Sequence, residues 1–261
     1  MEPDRPEFVP DGTMERERME RLQTEIADAA LFSDDPPLDP ASAGTLRIAG
    51  IDQAFLDDQA VSAVVVRQAG ETVETAHSVT DLQFPYVPGY LAFREGGPIL
   101  SALEQLADPP DLLLFDGSGR IHYRQAGLAT HVGVTFDRPA IGVAKRLLCG
   151  TPTGSLTGLE EGTEVAIAAD EEVTAENGTV IGYAVQTRQF DSADRHVNPV
   201  YVSPGHRTSA ERAADLVRSC CAGYKLPEPV RRADTRASEI KVSLADTADP
   251  SDPGREGGED S

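Results

Sequence analysis

Two short apolar runs, each ending on an aspartate, constrain this chain more than any other feature. Ile48-Ala49-Gly50-Ile51 closes on Asp52, and Leu112-Leu113-Leu114-Phe115 closes on Asp116. Runs of this length read as buried strands, and a carboxylate at the edge of a core is costly unless it is paired or bound to a metal. If the two strand ends meet, their carboxylates suit a hard cation, because Mg²⁺ takes a few carboxylates together with waters and phosphate oxygens. Taken singly, an aspartate closing a strand is more often a turn former; the pair leaves the two readings balanced. Glu95 adds a third acid ahead of a helix expected to open at Pro98. On its own it reads as a solvated acid at a helix N-terminus.

The rest of the chain supplies the elements around these runs. Met19, Leu22, Ile26 and Ala29 fall at helical spacing, predicting an amphipathic helix over 14–32 that ends at Asp34-Asp35-Pro36-Pro37. Strands are expected at 46–52, 60–68 and 71–79, the last two as a hairpin. A proline-bearing loop over 84–89 leads into the Pro98 helix, and 111–116 and 140–145 are further strands flanking a helix over 126–132. Three more strands are expected at 164–168, 180–185 and 200–202. A capping box, Thr208-x-x-Glu211, starts the last helix, which runs to about Cys221. This order predicts an α/β fold with one mixed sheet flanked by helices. Three regions are expected: an acidic N-terminal extension over 1–45, a main domain over 46–241, and a disordered acidic tail over 242–261.

Forty-four acids oppose 23 bases, a formal net charge of −21, and only Lys145, Lys225 and Lys241 are lysines. Such a surface suits a protein working in concentrated salt, where the Debye length is about 3 Å and self-repulsion is screened. Acidity ordinarily argues against a nucleic-acid partner. In high salt counterion release contributes little, so recognition must rest on short-range contacts and net charge does not decide the matter. Cys149, Cys220 and Cys221 show no metal or disulfide spacing and are expected to be reduced thiols. With no signal-like start and no membrane-length apolar run, a cytoplasmic monomer is expected.

Five blocks then appear in order: Pro85-Tyr86-Val87-Pro88-Gly89-Tyr90-Leu91-Ala92-Phe93-Arg94-Glu95; Asp116-Gly117-x-Gly119-x-x-His122; Gly127-Leu128-Ala129-x-His131-x-Gly133; Ile141-Gly142-Val143-Ala144-Lys145; and Val202-Ser203-Pro204-Gly205-His206-Arg207. Together they closely resemble endonuclease V. The resemblance implies a ribonuclease H-like fold and cleavage of the second phosphodiester bond 3′ to a deaminated purine such as hypoxanthine, leaving a 3′-hydroxyl and a 5′-phosphate. It implies a metal centre at Asp52, Glu95 and Asp116 holding Mg²⁺, for which Mn²⁺ can substitute. Lys145 and His206 match the remaining polar active-site positions, although a loop histidine is also a plain reading of His206.

In the same way Tyr86, on a loop stiffened by Pro85 and Pro88, resembles a strand-separating wedge that fills the gap left by an extruded base. Gly89, Leu91, Gly117 and Gly127 match segments lining the base pocket, Val87 belongs to the same nucleic-acid-binding loop, and His122 matches a position that contacts the backbone near the site; turn geometry alone is an equal reading of each glycine. His77, His131 and His196 read as structural. Two positions depart from the family pattern. Tyr123 stands where proline is usual, which puts the placement of His122 in doubt, and Gln53 stands where a small or apolar residue is usual. The implied partner is DNA containing deoxyinosine. An inosine-specific endoribonuclease and a non-catalytic binder of deaminated bases are the alternatives.

Overall fold

The computed structural model describes residues 1–190 and 197–248. Helix α1 (Arg16–Ala29) precedes β1 (Ile48–Leu56), β2 (Gln59–Gln68) and β3 (Glu71–Asp81). Then come α2 (Leu91–Leu103), β4 (Leu112–Phe115), α3 (Leu128–Thr135), β5 (Ala140–Ala144), the two-residue β6 (Thr151–Pro152), β7 (Glu164–Ala168), β8 (Val180–Val185) and β9 (Val200–His206). Helices α4 (Ala210–Ser219) and α5 (Glu228–Ala248) follow. The strands form one mixed sheet in the order β3-β2-β1-β4-β5-β9-β8-β7-β6. β1, β4 and β5 are parallel at its centre, and the outer strands pair antiparallel. The expected mixed α/β sheet is therefore present.

Side-chain alternation divides the core between two faces. Ala49, Ile51, Leu113 and Phe115 point to one face and pack under α2 and α3 with Ile99, Leu103 and Val132. Ile48, Leu112 and Leu114 point to the other, under Ala213, Leu216 and Val217 of α4 and Val230 of α5. Gly50 and Asp52 share that second face. The approach of α5 there is close: a Cβ on Gly50 would lie 2.0 Å from the backbone of Pro229. Gly50→Ala should therefore displace the start of α5 and cost about 3 kcal/mol or more. Urea unfolding would show it, and a variant as stable as wild type would contradict this packing.

Several elements differ from the sequence expectation: β1 continues four residues past Asp52, where the expected strand ended, and β6 was not anticipated. α2 begins at Leu91, so Pro98 lies inside it rather than at its first position. The proline breaks the helical hydrogen-bond ladder there, and Gln53 Nε2 donates to the Glu95 carbonyl at 3.1 Å, tying α2 to β1. α4 is capped one residue later than expected, by Ser209, whose Oγ accepts from Arg212 N. Asp34 supplies the reciprocal contact, accepting from Ser209 N at 2.8 Å, while Glu211 instead receives the Tyr183 hydroxyl. Finally, α5 was not anticipated, and it crosses residue 241. The part of the expected tail over 249–261 lies outside the described residues.

The N-terminal segment packs against the domain. Met19, Leu22 and Ile26 of α1 are fully buried against Tyr90, Phe93, Ala126 and Val134, and the terminal ammonium donates to the carbonyls of Leu103, Glu104 and Leu106.

Candidate functional site

Parallel pairing of β1 and β4 aligns Ile51 with Phe115, so Asp52, midway along β1, lies beside Asp116, the residue that follows the end of β4. Asp116 N donates to the Ile51 carbonyl at 3.0 Å, which continues that register. Asp52 Oδ1 accepts from Gln53 N at 2.7 Å, but Oδ2 is buried with no hydrogen-bond partner among the described residues. Lys145 follows β5 and places Nζ 2.5 Å from Asp116 Oδ2. Glu95 is 7% exposed on α2, near enough for Asp116 to act on its charge.

Burial and mutual repulsion leave these acids poorly disposed to carry charge alone. Burial pushes Glu95 up to about 8, outweighing Arg94, with Asp116 adding to the rise. Burial also raises Asp52 and Asp116; Asp116 adds to the rise of Asp52, and Lys145 pulls both the other way. Burial disfavours the Lys145 ammonium, yet Asp116, Asp52 and Asp234 more than offset it, and its pKa is raised.

Asp234 is the residue that reading the sequence missed. From the Gly50 contact, two strand residues of about 3.3 Å each reach Asp52, and five helical residues of 1.5 Å reach from Pro229 to Asp234, roughly the same advance. The charge of Asp234 acts on Asp52, Asp116 and Lys145. A weak signal was present: Val230, Ala233 and Ala237, all buried, mark the apolar stripe of α5.

Among the described residues, no three His, Cys, Asp or Glu side chains already enclose a metal position. Asp52, Glu95 and Asp116 thus share a neighbourhood without forming a closed cage. The donor set nonetheless fits Mg²⁺, which needs only one or two carboxylates and completes its shell with water and phosphate. Asp52 Oδ2, unpartnered among the described residues, offers a hard-oxygen donor beside a second carboxylate.

The turn after Asp116 is clamped from both sides. A Cβ on Gly142 of β5 would lie 2.4 Å from Gly119 N, and a Cβ on Gly127 would lie 2.5 Å from the carbonyls of Ser118 and Gly119. Ser203 Oγ accepts from Gly119 N at 2.8 Å, and the Pro204 carbonyl accepts from Arg120 N at 2.7 Å. The Val202-Ser203-Pro204 segment therefore braces the Asp116 turn. Its histidine does not join the acids. His206 pairs with Ala140 at the start of β5, whereas Lys145 lies beyond its other end, about 16 Å away along a strand. Fully buried, His206 accepts from Leu31 N at Nδ1 and donates from Nε2 to Asp137 at 3.0 Å. Burial lowers its pKa against the pull of Asp137. It fastens the N-terminal segment to β9, which corrects the active-site reading. His131 is likewise structural, bonded to the Phe8 carbonyl and held by burial at about 4. His196 lies outside the described residues.

Beside Asp116 and Lys145 opens a cavity of about 400 Å³. Tyr86, Val87, Pro88, Gly89 and Leu91 form one wall; Gly117, His122 and Gly127 line it further, and Leu147 and Leu148 add apolar surface the sequence had not marked. Pro85 is not among its lining residues. Tyr86 is 68% exposed at the rim. His122 is buried, with Nδ1 accepting from Arg124 N and Nε2 donating to the Gly89 carbonyl at 2.9 Å, so the ring is neutral. Burial holds its pKa down at about 4. Tyr123 packs its ring beside His122 and does not dislodge it.

The Endonuclease V family model matches residues 35–235. An endonuclease V of Natronomonas pharaonis is 56% identical over 92% of this chain and 98% of its own. A Streptomyces avermitilis endonuclease V structure, 32% identical, covers 94% of this chain and 98% of its own with a TM-score of 0.75. A Ciona intestinalis endonuclease V, bound to a 24mer DNA containing an inosine followed by a ribo-adenosine, is 27% identical with a TM-score of 0.72, covering 87% of this chain and 98% of that one. These likenesses span the ribonuclease H-like sheet, its paired aspartates and the cavity beside them, and on them this chain belongs to the endonuclease V family.

Proposed function

We propose that the chain is a metal-dependent endonuclease that recognises a deaminated purine in DNA, hypoxanthine above all, and hydrolyses the second phosphodiester bond on its 3′ side. One observation carries this reading: the cavity walled by the Tyr86 loop is lined by Asp116 and Lys145 as well, so base recognition and phosphate chemistry share one space. The inosine-containing DNA held by the Ciona relative supports the same substrate.

Asp52 and Asp116 would hold the Mg²⁺, with Glu95 and Asp234 orienting its water ligands. When bound, the ion would neutralise the scissile phosphate and lower the pKa of the attacking water. Lys145 secures Asp116 and offers its ammonium to a phosphate oxygen, as a compact point charge rather than a guanidinium fork. Tyr86 would fill the space vacated by the extruded base, which enters between Gly89, Gly117 and the apolar leucines. Hypoxanthine differs from adenine by its O6 acceptor and N1–H donor, which fixed backbone groups can read. No described helix is long and apolar enough to cross a membrane; we place the enzyme in the cytoplasm as a monomer. The acidic surface suits concentrated salt, in keeping with its halophilic relatives.

The test is nicking of a duplex bearing one deoxyinosine, in concentrated KCl with Mg²⁺, beside a matched riboinosine strand. We expect a nick at the second bond 3′ to deoxyinosine. Binding without cleavage in Mg²⁺ or Mn²⁺ would leave only a binder. In the same assay Asp234→Asn should lower kcat about 10- to 100-fold, and wild-type turnover in that variant would remove Asp234 from the centre.

A further inference from the structure

The wall of the cavity is held from behind by α1. Val87, Pro88, Gly89 and Tyr90 form a type II turn, with Pro88 and Gly89 at its centre, Gly89 at φ +81° and Tyr90 N donating to the Val87 carbonyl at 3.0 Å. The Gly89 carbonyl accepts from two buried side chains, Gln23 Nε2 at 2.7 Å and His122 Nε2 at 2.9 Å. Gln23 is fully buried on α1. Its Oε1 accepts from Arg124 Nη1 at 3.3 Å, and Arg124 Nη2 pairs with Glu20 at 3.1 Å. Glu20 in turn accepts from the Tyr90 hydroxyl. Arginine only donates and a carbonyl only accepts, so the Gln23 amide has a single satisfying orientation. The contacts close a ring through Gln23, Gly89, Tyr90, Glu20 and Arg124.

We infer that Gln23 is a positioning residue for base recognition: it fixes the Val87–Tyr90 turn against the cavity and so sets the selectivity for the damaged base. The inference rests on the functional reading above. Recognition of a base edge by fixed groups tolerates only small misplacement, and a wall free to shift would admit an undamaged purine. Gln23 does not line the cavity and its side-chain amide bonds to Gly89 and Arg124 rather than to the acids, so chemistry at the phosphate should be left intact when it is changed.

Gln23→Glu keeps the side-chain volume and the acceptor for Arg124, but sets a carboxylate oxygen against the Gly89 carbonyl. Gln23→Met removes both polar contacts and keeps the packing. Arg124→Met opens the ring at a side chain that is a quarter exposed. With each, kcat and KM are measured on a deoxyinosine duplex and on the matched adenine duplex, together with Tm. For the Gln23 variants KM for deoxyinosine should rise about tenfold, and the inosine-to-adenine ratio of kcat/KM should fall about tenfold. Their kcat should stay within about twofold of wild type, and Arg124→Met should shift the ratio the same way by less. Folded Gln23 variants with the wild-type ratio, or with a lowered kcat at unchanged KM, would overturn the inference. If neither Gln23 variant folds, Arg124→Met decides, and an unchanged ratio there overturns it. Failure of the wild-type enzyme to nick deoxyinosine would instead overturn the functional reading.

Discussion

Asp116→Asn should lower the rate of nicking at saturating Mg²⁺ by about a thousandfold or more, while the protein becomes no less stable without metal. The two parts come from the same geometry. Asp116 stands beside Asp52 on the neighbouring parallel strand, and an amide in its place is a far weaker ligand for a hard cation. The amide also removes a charge whose burial was unfavourable and which raised the pKa of Asp52. The lost Lys145 contact costs little, because the Lys145 side chain is nearly half exposed. Loss of activity with an equal or higher Tm separates chemistry from misfolding. Binding of inosine-containing duplex in EDTA should match or exceed wild type, since one negative charge has left the phosphate path. An Asp116→Asn protein that still cleaves near the wild-type rate would remove this aspartate from the reaction.

The parts of this site visible in the sequence were those that a strand announces. Asp52 and Asp116 close runs whose apolar character leaves no alternative to a buried strand, and parallel pairing then brings them together. The Tyr86 loop was legible because two prolines and Gly89 restrict its backbone. Asp234 was not legible. α5 buries small alanines and one valine, a stripe too weak to stand out among arginines and aspartates, and its start hides behind Pro227 and Pro229. What fixes α5 is a contact distant in sequence, its approach to Gly50. His206 failed for the opposite reason. Its motif is conspicuous, but β9 runs antiparallel to β5, so the residues that brace the Asp116 turn come first and the histidine is carried to the far end. The N-terminal helix read as an extension because amphipathic spacing reports that a face is buried but not what it is buried against. Gln23, within that face, is a polar residue whose partner no local pattern reveals.

Between pH 6.5 and 8 the metal-free protein should lose stability as pH rises, and Mg²⁺ should abolish that loss. The acids of the site hold their protons more tightly folded than unfolded. Glu95 titrates at about 8 when folded against 4.5 when free, and Asp52 and Asp116 are shifted in the same direction. A carboxyl raised in this way contributes stability that is complete below its unfolded pKa and is lost as pH climbs through the folded one. At lower pH other groups oppose the trend. His122 and His131 are held neutral at about 4 by burial, so they favour folding increasingly as pH rises toward 6.5. Asp137 and Glu228, both drawn down to about 2, chiefly by their arginine contacts, cost stability only as pH falls below about 4. Above 6.5 the unfolded histidines give up their remaining protons, an opposing gain of only about 0.4 kcal/mol each, and the site acids dominate. Glu95 alone then accounts for roughly 2 kcal/mol between pH 6.5 and 8. Metal binding requires the ionised carboxylates, so bound Mg²⁺ stabilises the protein more at pH 8 than at 6.5. Urea unfolding in concentrated KCl, with EDTA and with Mg²⁺ at both pH values, measures this directly. A flat or rising EDTA profile, or the same downward slope with saturating Mg²⁺, would mean that these acids are not the ones that meet the ion.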